Sequence, residues 1–200
     1  MEIDKMEKEW GNPAPWGLGA LAMICFCFFA LLTGRAAEEA HHLVFAWGTV
    51  GAISQIAAGI INFKRGDVIG GTIFATFGAL FMLGPALGHL MEATGLVESA
   101  GTMDGYVFIL LSLLLWCYLV PASRSEPLSL FALIALLAFS LSLLPFVFLA
   151  IGPTWLAELS GWLLLISGLL GVYIMTAIMT HEAYGRFVLP VGPPLVRPKQ

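Results

Sequence analysis

Charge is what this chain has least of. Of its 200 residues, 11% are charged, against roughly a quarter in soluble domains. No Asp, Glu, Lys or Arg lies near the middle of any long apolar run. That absence argues against a pump relaying protons through its own buried carboxylates and against an arginine-rich voltage sensor. Cysteine is scarce too: Cys25, Cys27 and Cys117 all fall within apolar runs, and Cys25 and Cys27 point apart on a helix. They are read as small core residues, with no metal or redox role. There is no phosphate-binding glycine loop, no His-Glu-x-x-His, no Gly-x-Ser-x-Gly and no haem or zinc spacing. The sequence thus predicts neither an enzyme nor a cofactor or metal site, and nothing in it suggests nucleic-acid binding.

Hydrophobic residues make up 59% of the chain. They gather in runs at Leu18 to Thr33, Leu43 to Ile61, Val68 to Leu90, Tyr106 to Val120, Leu128 to Ile151 and Trp155 to Met179. Most are close to the ~20 residues that span ~30 Å of hydrocarbon. The pattern predicts an all-α polytopic membrane protein with six transmembrane helices, a transmembrane domain over 12–181 and tails over 1–11 and 182–200. Apolar residues cover all faces, unlike the dyad alternation of a membrane barrel. With six spans, Lys5, Lys8, Lys64, Arg65, Arg124, Arg186, Arg197 and Lys199 share one side, and Arg35 is alone on the other. Basic residues favour the cytoplasmic face, so both termini are expected in the cytoplasm of a cell-membrane protein. The mixed, acidic start (Glu2, Asp4, Glu7, Glu9) is unlike a signal peptide, and the first span is expected to be retained. His41-His42, in the first outer loop, is read as solvated.

Three features offer polarity inside this apolar frame. Asn12-Pro13-Ala14-Pro15 opens the first span. Asn12 is a natural cap, and a helix start at the membrane boundary can offer N–H groups and a positive dipole end to a small carboxylate. Helix initiation alone explains the same residues. On the second span Gly51, Gln55, Ala58 and Asn62 form a small or polar stripe at helical spacing. On the third, Thr72 and Thr76 sit one turn apart beside Phe74 and Phe77; they could line a route, or bond between helices. His89 and Glu158 fall at the hydrocarbon boundary and are read as interfacial. Glycines such as Gly48, Gly51, Gly66, Gly70, Gly84, Gly88, Gly168 and Gly171 suggest close helix packing, and Pro85 and Pro145 predict bends. After the last span, Glu182 to Gly192 forms a dense patch in which Arg186 can tie the tail to helix ends or to Glu182, or anchor it at the membrane surface.

Taken together, Asn-Pro-Ala-Pro-x-Gly-Leu at 12–18, Ala58-Gly59-x-x-x-Phe63-x-x-Gly66, Gly70-x-Thr72-x-Phe74-x-x-x-Gly78-Ala79, Gly161-Trp162 and Tyr184-Gly185-Arg186-x-x-Leu189-Pro190-x-Gly192 resemble the acetate uptake transporter family. This is the succinate/acetate permease group, which includes the yeast ammonia/acetate exporters. The resemblance implies a homohexamer with one pathway in each six-helix protomer, carrying acetate or a similar monocarboxylate, sometimes succinate, with protons or by channel-like conduction. It assigns Asn12, Pro13, Ala14, Pro15 and Gln55 to the substrate path, a hydrophobic constriction to Leu21, Phe77 and Leu141, and Thr76 to a place beside it; Thr72 is added as a substrate-binding candidate from its spacing alone. The chain departs from the family pattern at Trp16 (Leu usual), Asn62 (Glu usual), Asp67 (Asn usual) and Phe77 (Tyr usual). The lost Glu and the lost phenol bear on proton coupling. A channel for small neutral solutes such as ammonia, CO2 or urea, and a membrane scaffold without a pathway, remain the other readings.

Overall fold

The computed structural model describes residues 10–98 and 101–196. Lys5, Lys8, Arg197, Lys199 and the acidic residues of the opening tail lie outside the described residues, as does the side chain of His41. Six helices are long and apolar enough to cross a membrane: α1 Ala14–Leu32, α2 Val44–Lys64, α3 Val68–Ala93, α4 Gly101–Ser125, α5 Leu128–Phe148 and α6 Trp155–Tyr184. A short 3₁₀ segment, Glu38–Leu43, leads into α2. At 30 residues, α6 measures about 45 Å and outruns the hydrocarbon layer unless it tilts. It ends on Gly185, whose φ of 67° is the left-handed cap that favours glycine.

Local chemistry sets the other boundaries. α1 begins at Ala14, earlier than the apolar run, with Pro13 and not Asn12 at the cap position; Asn12, one residue further out, accepts the Ala14 N–H on its Oδ1 at 3.0 Å. Asp67 caps α3, its Oδ1 accepting the Gly70 N–H at 2.8 Å. Inside α3 the winding widens to a π-helix over Phe77–Leu83, directly before Gly84 and Pro85. Pro85 has no N–H to give to the preceding turn, and the looser winding accommodates that gap where the sequence suggested a bend. Pro121 and Pro145 lie within α4 and α5.

The helices form a ring. α1 lies chiefly against α6, α6 against α5 and α5 against α4; on its other side α1 meets α2, and α2 meets α3. The closing contact, α3 to α4, is slight. It holds the hydrogen bond from the Tyr118 hydroxyl to Thr76 Oγ1, at 2.9 Å. α2 and α3 touch backbone to backbone, since a Cβ on Gly59 would sit 2.7 Å from the Ala75 nitrogen and one on Gly78 would sit 2.8 Å from the Ile56 nitrogen. Gly84 and Gly88, also read as packing glycines, have no such neighbour: nothing lies within 4 Å of a Cβ at Gly88.

Polarity is arranged outside in. Gln55, Ser140, Ser160 and Ser167 are fully buried, whereas Val50, Ile53, Leu110, Leu113 and Leu169 are exposed. Ser140 and Ser160 clamp α5 to α6 reciprocally: each hydroxyl donates to the other residue's carbonyl, at 2.9 and 3.1 Å. In lipid such polar pairs have no water to compete for them. Cys117, expected in the core, is exposed; it shares the outward face of α4 with Leu113 and Val120. Removing the bond between α3 and α4 by Tyr118→Phe or by Thr76→Ala is expected to lower the unfolding free energy by about 1 kcal/mol. The double variant should lose no more than either alone in a thermal-melt cycle of the purified protein.

Candidate functional site

Three cavities lie along the inside of the ring. The largest of these, 430 Å³, lies at the end where α1 begins and α6 ends; Asn12, Gln55, Asn62, Arg65, Asp67, Ser125 and Glu126 supply its polar groups. The middle one is 40 Å³ and is walled by Leu, Ile, Phe and Met side chains and the buried Cys25. The third, 280 Å³, lies at the opposite end, with His89, Glu92 and Asp104 among its lining. Leu21 and Phe77 border both the first and the middle cavity. Phe28 and Phe108 border both the middle and the third. Two wide chambers with polar groups in otherwise apolar walls thus flank a narrow, wholly apolar stage.

The amino-terminal motif builds its part of the wall in an unexpected way. A helix start normally leaves several N–H groups unpaired. Here Pro13 and Pro15 have none, the Ala14 N–H is taken by Asn12, and the Gly17 N–H bonds the Pro13 carbonyl at 3.1 Å. Among the described residues the Trp16 amide alone in this turn lacks an acceptor, and Trp16 faces outward, 51% exposed. The expected cluster of helix-end amides for a carboxylate is therefore not present. Asn12 and Ala14 line the large cavity, while Pro13 and Pro15 do not.

The stripe on α2 faces inward along its length, with Gly51, Gln55, Ala58 and Asn62 all buried. Gln55 Nε2 donates to the Gly17 carbonyl at 2.8 Å, fixing the amide's orientation, since a carbonyl can only accept. Its Oε1 is buried with no partner among the described residues. The large cavity thus carries, on a fully buried side chain, an acceptor that lacks a donor. Thr72 and Thr76 line none of the three cavities. α3 turns Gly70, Phe74 and Phe77 inward at helical spacing, so the threonines lie on a neighbouring face. Thr72 bonds the Val68 carbonyl of its own helix, and Thr76 meets Tyr118.

Leu21, Phe77 and Leu141 come together around the middle cavity. Sequence reasoning missed their partners Phe81, Phe28 and Phe108. Phe81 stacks on Phe77, with ring centroids 4.6 Å apart, and the spacing Phe74, Phe77, Phe81 was the available signal. Phe108 stacks on Phe148 at 5.3 Å.

Glu126 and the carboxyl-terminal segment were also not foreseen at the cavity. Glu126 sits in the link between α4 and α5; burial, and then the Asp67 charge, push its carboxyl above the ordinary value, with the Ser125 hydroxyl acting the other way. Past Gly185 the chain folds back, and Phe187 and Val191 complete the cavity wall. The segment is fastened by Tyr173, whose hydroxyl donates to the Pro190 carbonyl at 2.7 Å, and by the Ser129 N–H to the Val191 carbonyl at 3.0 Å. No ion pair between Arg186 and Glu182 occurs among the described residues.

Residues 3–194 match the GPR1/FUN34/yaaH family profile. The chain belongs to the GPR1/FUN34/yaaH family. Among its relatives is the succinate-acetate/proton symporter SatP of Escherichia coli strain K12, 30% identical over 186 residues, which cover 90% of this chain and 95% of that protein. An uncharacterised protein of Methanothermobacter thermautotrophicus is 25% identical over 194 residues, 90% of each chain. The solved structure of the bacterial acetate channel SatP superposes with a TM-score of 0.83 at 27% identity, covering 91% of this chain and 99% of that one. The family resemblance read from the motifs and the six-helix all-α fold both hold.

The Gln55 bond joins α1 to α2 through a buried carbonyl. Gln55→Leu removes that bond from a carbonyl already engaged in the turn of α1 and is expected to cost about 1 kcal/mol, read as a lowered melting temperature of the purified protein. Gln55→Glu should be as damaging at neutral pH, because an ionised carboxylate cannot donate to Gly17.

Proposed function

We propose that this protein is a membrane channel or transporter for acetate and similar short monocarboxylates, linked to protons because the solute crosses the middle stage as undissociated acid. The observation that carries the reading is the 40 Å³ apolar cavity between two polar chambers. Its size suits a solute of a few heavy atoms. An ion stripped of water in such surroundings costs tens of kcal/mol on an idealised scale. Protonating an ordinary carboxylate at pH 7 costs only about 4 kcal/mol, at 1.36 kcal/mol per pH unit. The neutral acid is therefore the cheaper passenger by a wide margin.

The binding side chains of this reading lie in the large cavity. Gln55 Oε1 is an acceptor suited to the hydroxyl of a protonated acid, and Asn12 supplies an amide at the mouth. Leu21, Phe77 and Leu141 form the constriction; Thr76 acts by holding the ring closed beside it. A dicarboxylate needs two protons to become neutral, so acetate is favoured over succinate, although the name of the Escherichia coli relative covers both. The family resemblance supports a homohexamer with a pathway in each protomer. Lys64, Arg65, Arg124 and Arg186 opposite Arg35 support cytoplasmic termini in the cell membrane.

Uptake of labelled acetate into proteoliposomes, corrected for protein-free vesicles, tests the reading. Uptake should quicken when the outside is acidic and should fall with excess propionate. Asn12→Ala is expected to slow it about tenfold, the worth of one hydrogen bond to the solute. Leu21→Ala with Phe77→Ala should widen the constriction and favour butyrate over acetate relative to the unmodified protein. Rapid ammonia flux with propionate-insensitive acetate uptake would instead indicate a neutral-solute channel. No protein-dependent flux of either would leave a scaffold.

A further inference from the structure

We propose that Glu126 is the proton acceptor of the large cavity, taking the proton from an acid that has come through the apolar stage and passing it to water at the mouth. The inference rests on the carboxylic-acid reading above and adds the residue that would couple solute to proton. Placement is the first argument. Glu126 lines the same chamber as Gln55 and Asn12, in the link between α4 and α5 where Pro127 starts the next helix. It is half-buried, so it keeps access to water while lining the chamber.

The charges around it form the second argument. Among the described residues, Asp67, from the turn after α2, and Arg65, at the end of α2, are the other charged groups lining the chamber. Arg124, two residues earlier, lies in the last turn of α4. From α6 and the folded-back tail the lining is apolar, Ile174, Ile178, Phe187 and Val191, with His181 stacked on Phe187 at 4.1 Å. Arg65 Nε is buried without a partner among the described residues. An incoming acid RCOOH and ionised Glu126 thus give RCOO⁻ and Glu126-COOH, with the Arg65 charge at hand for the anion. Release of RCOO⁻ and of H⁺ to water restores the starting state.

The direction of transfer follows from the surroundings. Burial and the Asp67 charge make Glu126 hold a proton more tightly than an ordinary carboxyl, so an incoming acid passes its proton to Glu126 more readily than to an unperturbed carboxylate. Ser125 Oγ, 3.3 Å from Glu126 Oε1, donates to the ionised form.

Exchange of labelled acetate at equal pH across proteoliposomes, from about pH 5 to about pH 8, isolates this step when protein-dependent rates are divided by the concentration of undissociated acid. For the unmodified protein the divided rate should rise about tenfold as Glu126 ionises. Glu126→Gln should flatten the rise to less than about twofold while exchange at the acidic end persists, and Glu126→Asp should keep a rise displaced in pH. A Glu126→Gln profile that follows the unmodified one overturns the assignment and leaves the transport reading intact. No protein-dependent exchange by the unmodified protein overturns both. Should Glu126→Gln fail to assemble, Glu126→Asp decides: a displaced rise supports the role and an unmoved one overturns it.

Discussion

Inside hydrocarbon a polar group has no water to fall back on, and the arrangement of this protein follows from that constraint. Gln55 gives its amide to the Gly17 carbonyl, Ser140 and Ser160 exchange hydrogen bonds, and Tyr118 reaches across to Thr76. Each of these joins two helices, so the bonds that satisfy polar atoms also fix how the ring is assembled. The glycine contacts between α2 and α3 do the rest by letting backbones approach where a side chain would hold them apart.

The same constraint shapes the interior. Wide chambers can hold water and so tolerate Arg65, Asp67, Glu126, His89 and Asp104 in their walls. The stage between them is too apolar to do so. On the proposed route a solute leaves its hydration there, and selection acts on what that costs: charge first, size next. Hydrogen-bonding side chains are needed on either side of the narrow part rather than in it.

Much of the fold was legible because hydropathy and the distribution of lysine and arginine are properties of long stretches, insensitive to detail. The α2 stripe was legible for a related reason: four positions at helical spacing define a face whatever it meets. What escaped the sequence depended on neighbours distant in the chain. Thr72 and Thr76 read as a pair of lining hydroxyls, yet which face of α3 turns inward is set by where Phe74 and Phe77 pack. Helix-end amides at Asn12 to Gly17 were expected from the generic geometry of a helix start, but two prolines and one side-chain cap consume nearly all of them. Glu126 gave no signal, since a carboxylate in a short link reads as solvated until the tail is seen to fold over it.

That tail has a mechanical consequence. Leaving α6, it bonds α6 again through Tyr173, α5 through Ser129 and α4 through the Val196 N–H and the Ser123 carbonyl, 2.8 Å apart. Three helices are belted together on one flank of the chamber, while the contact between α3 and α4 is slight. Any dilation of the ring at that end has its softest line along this seam, away from the belt.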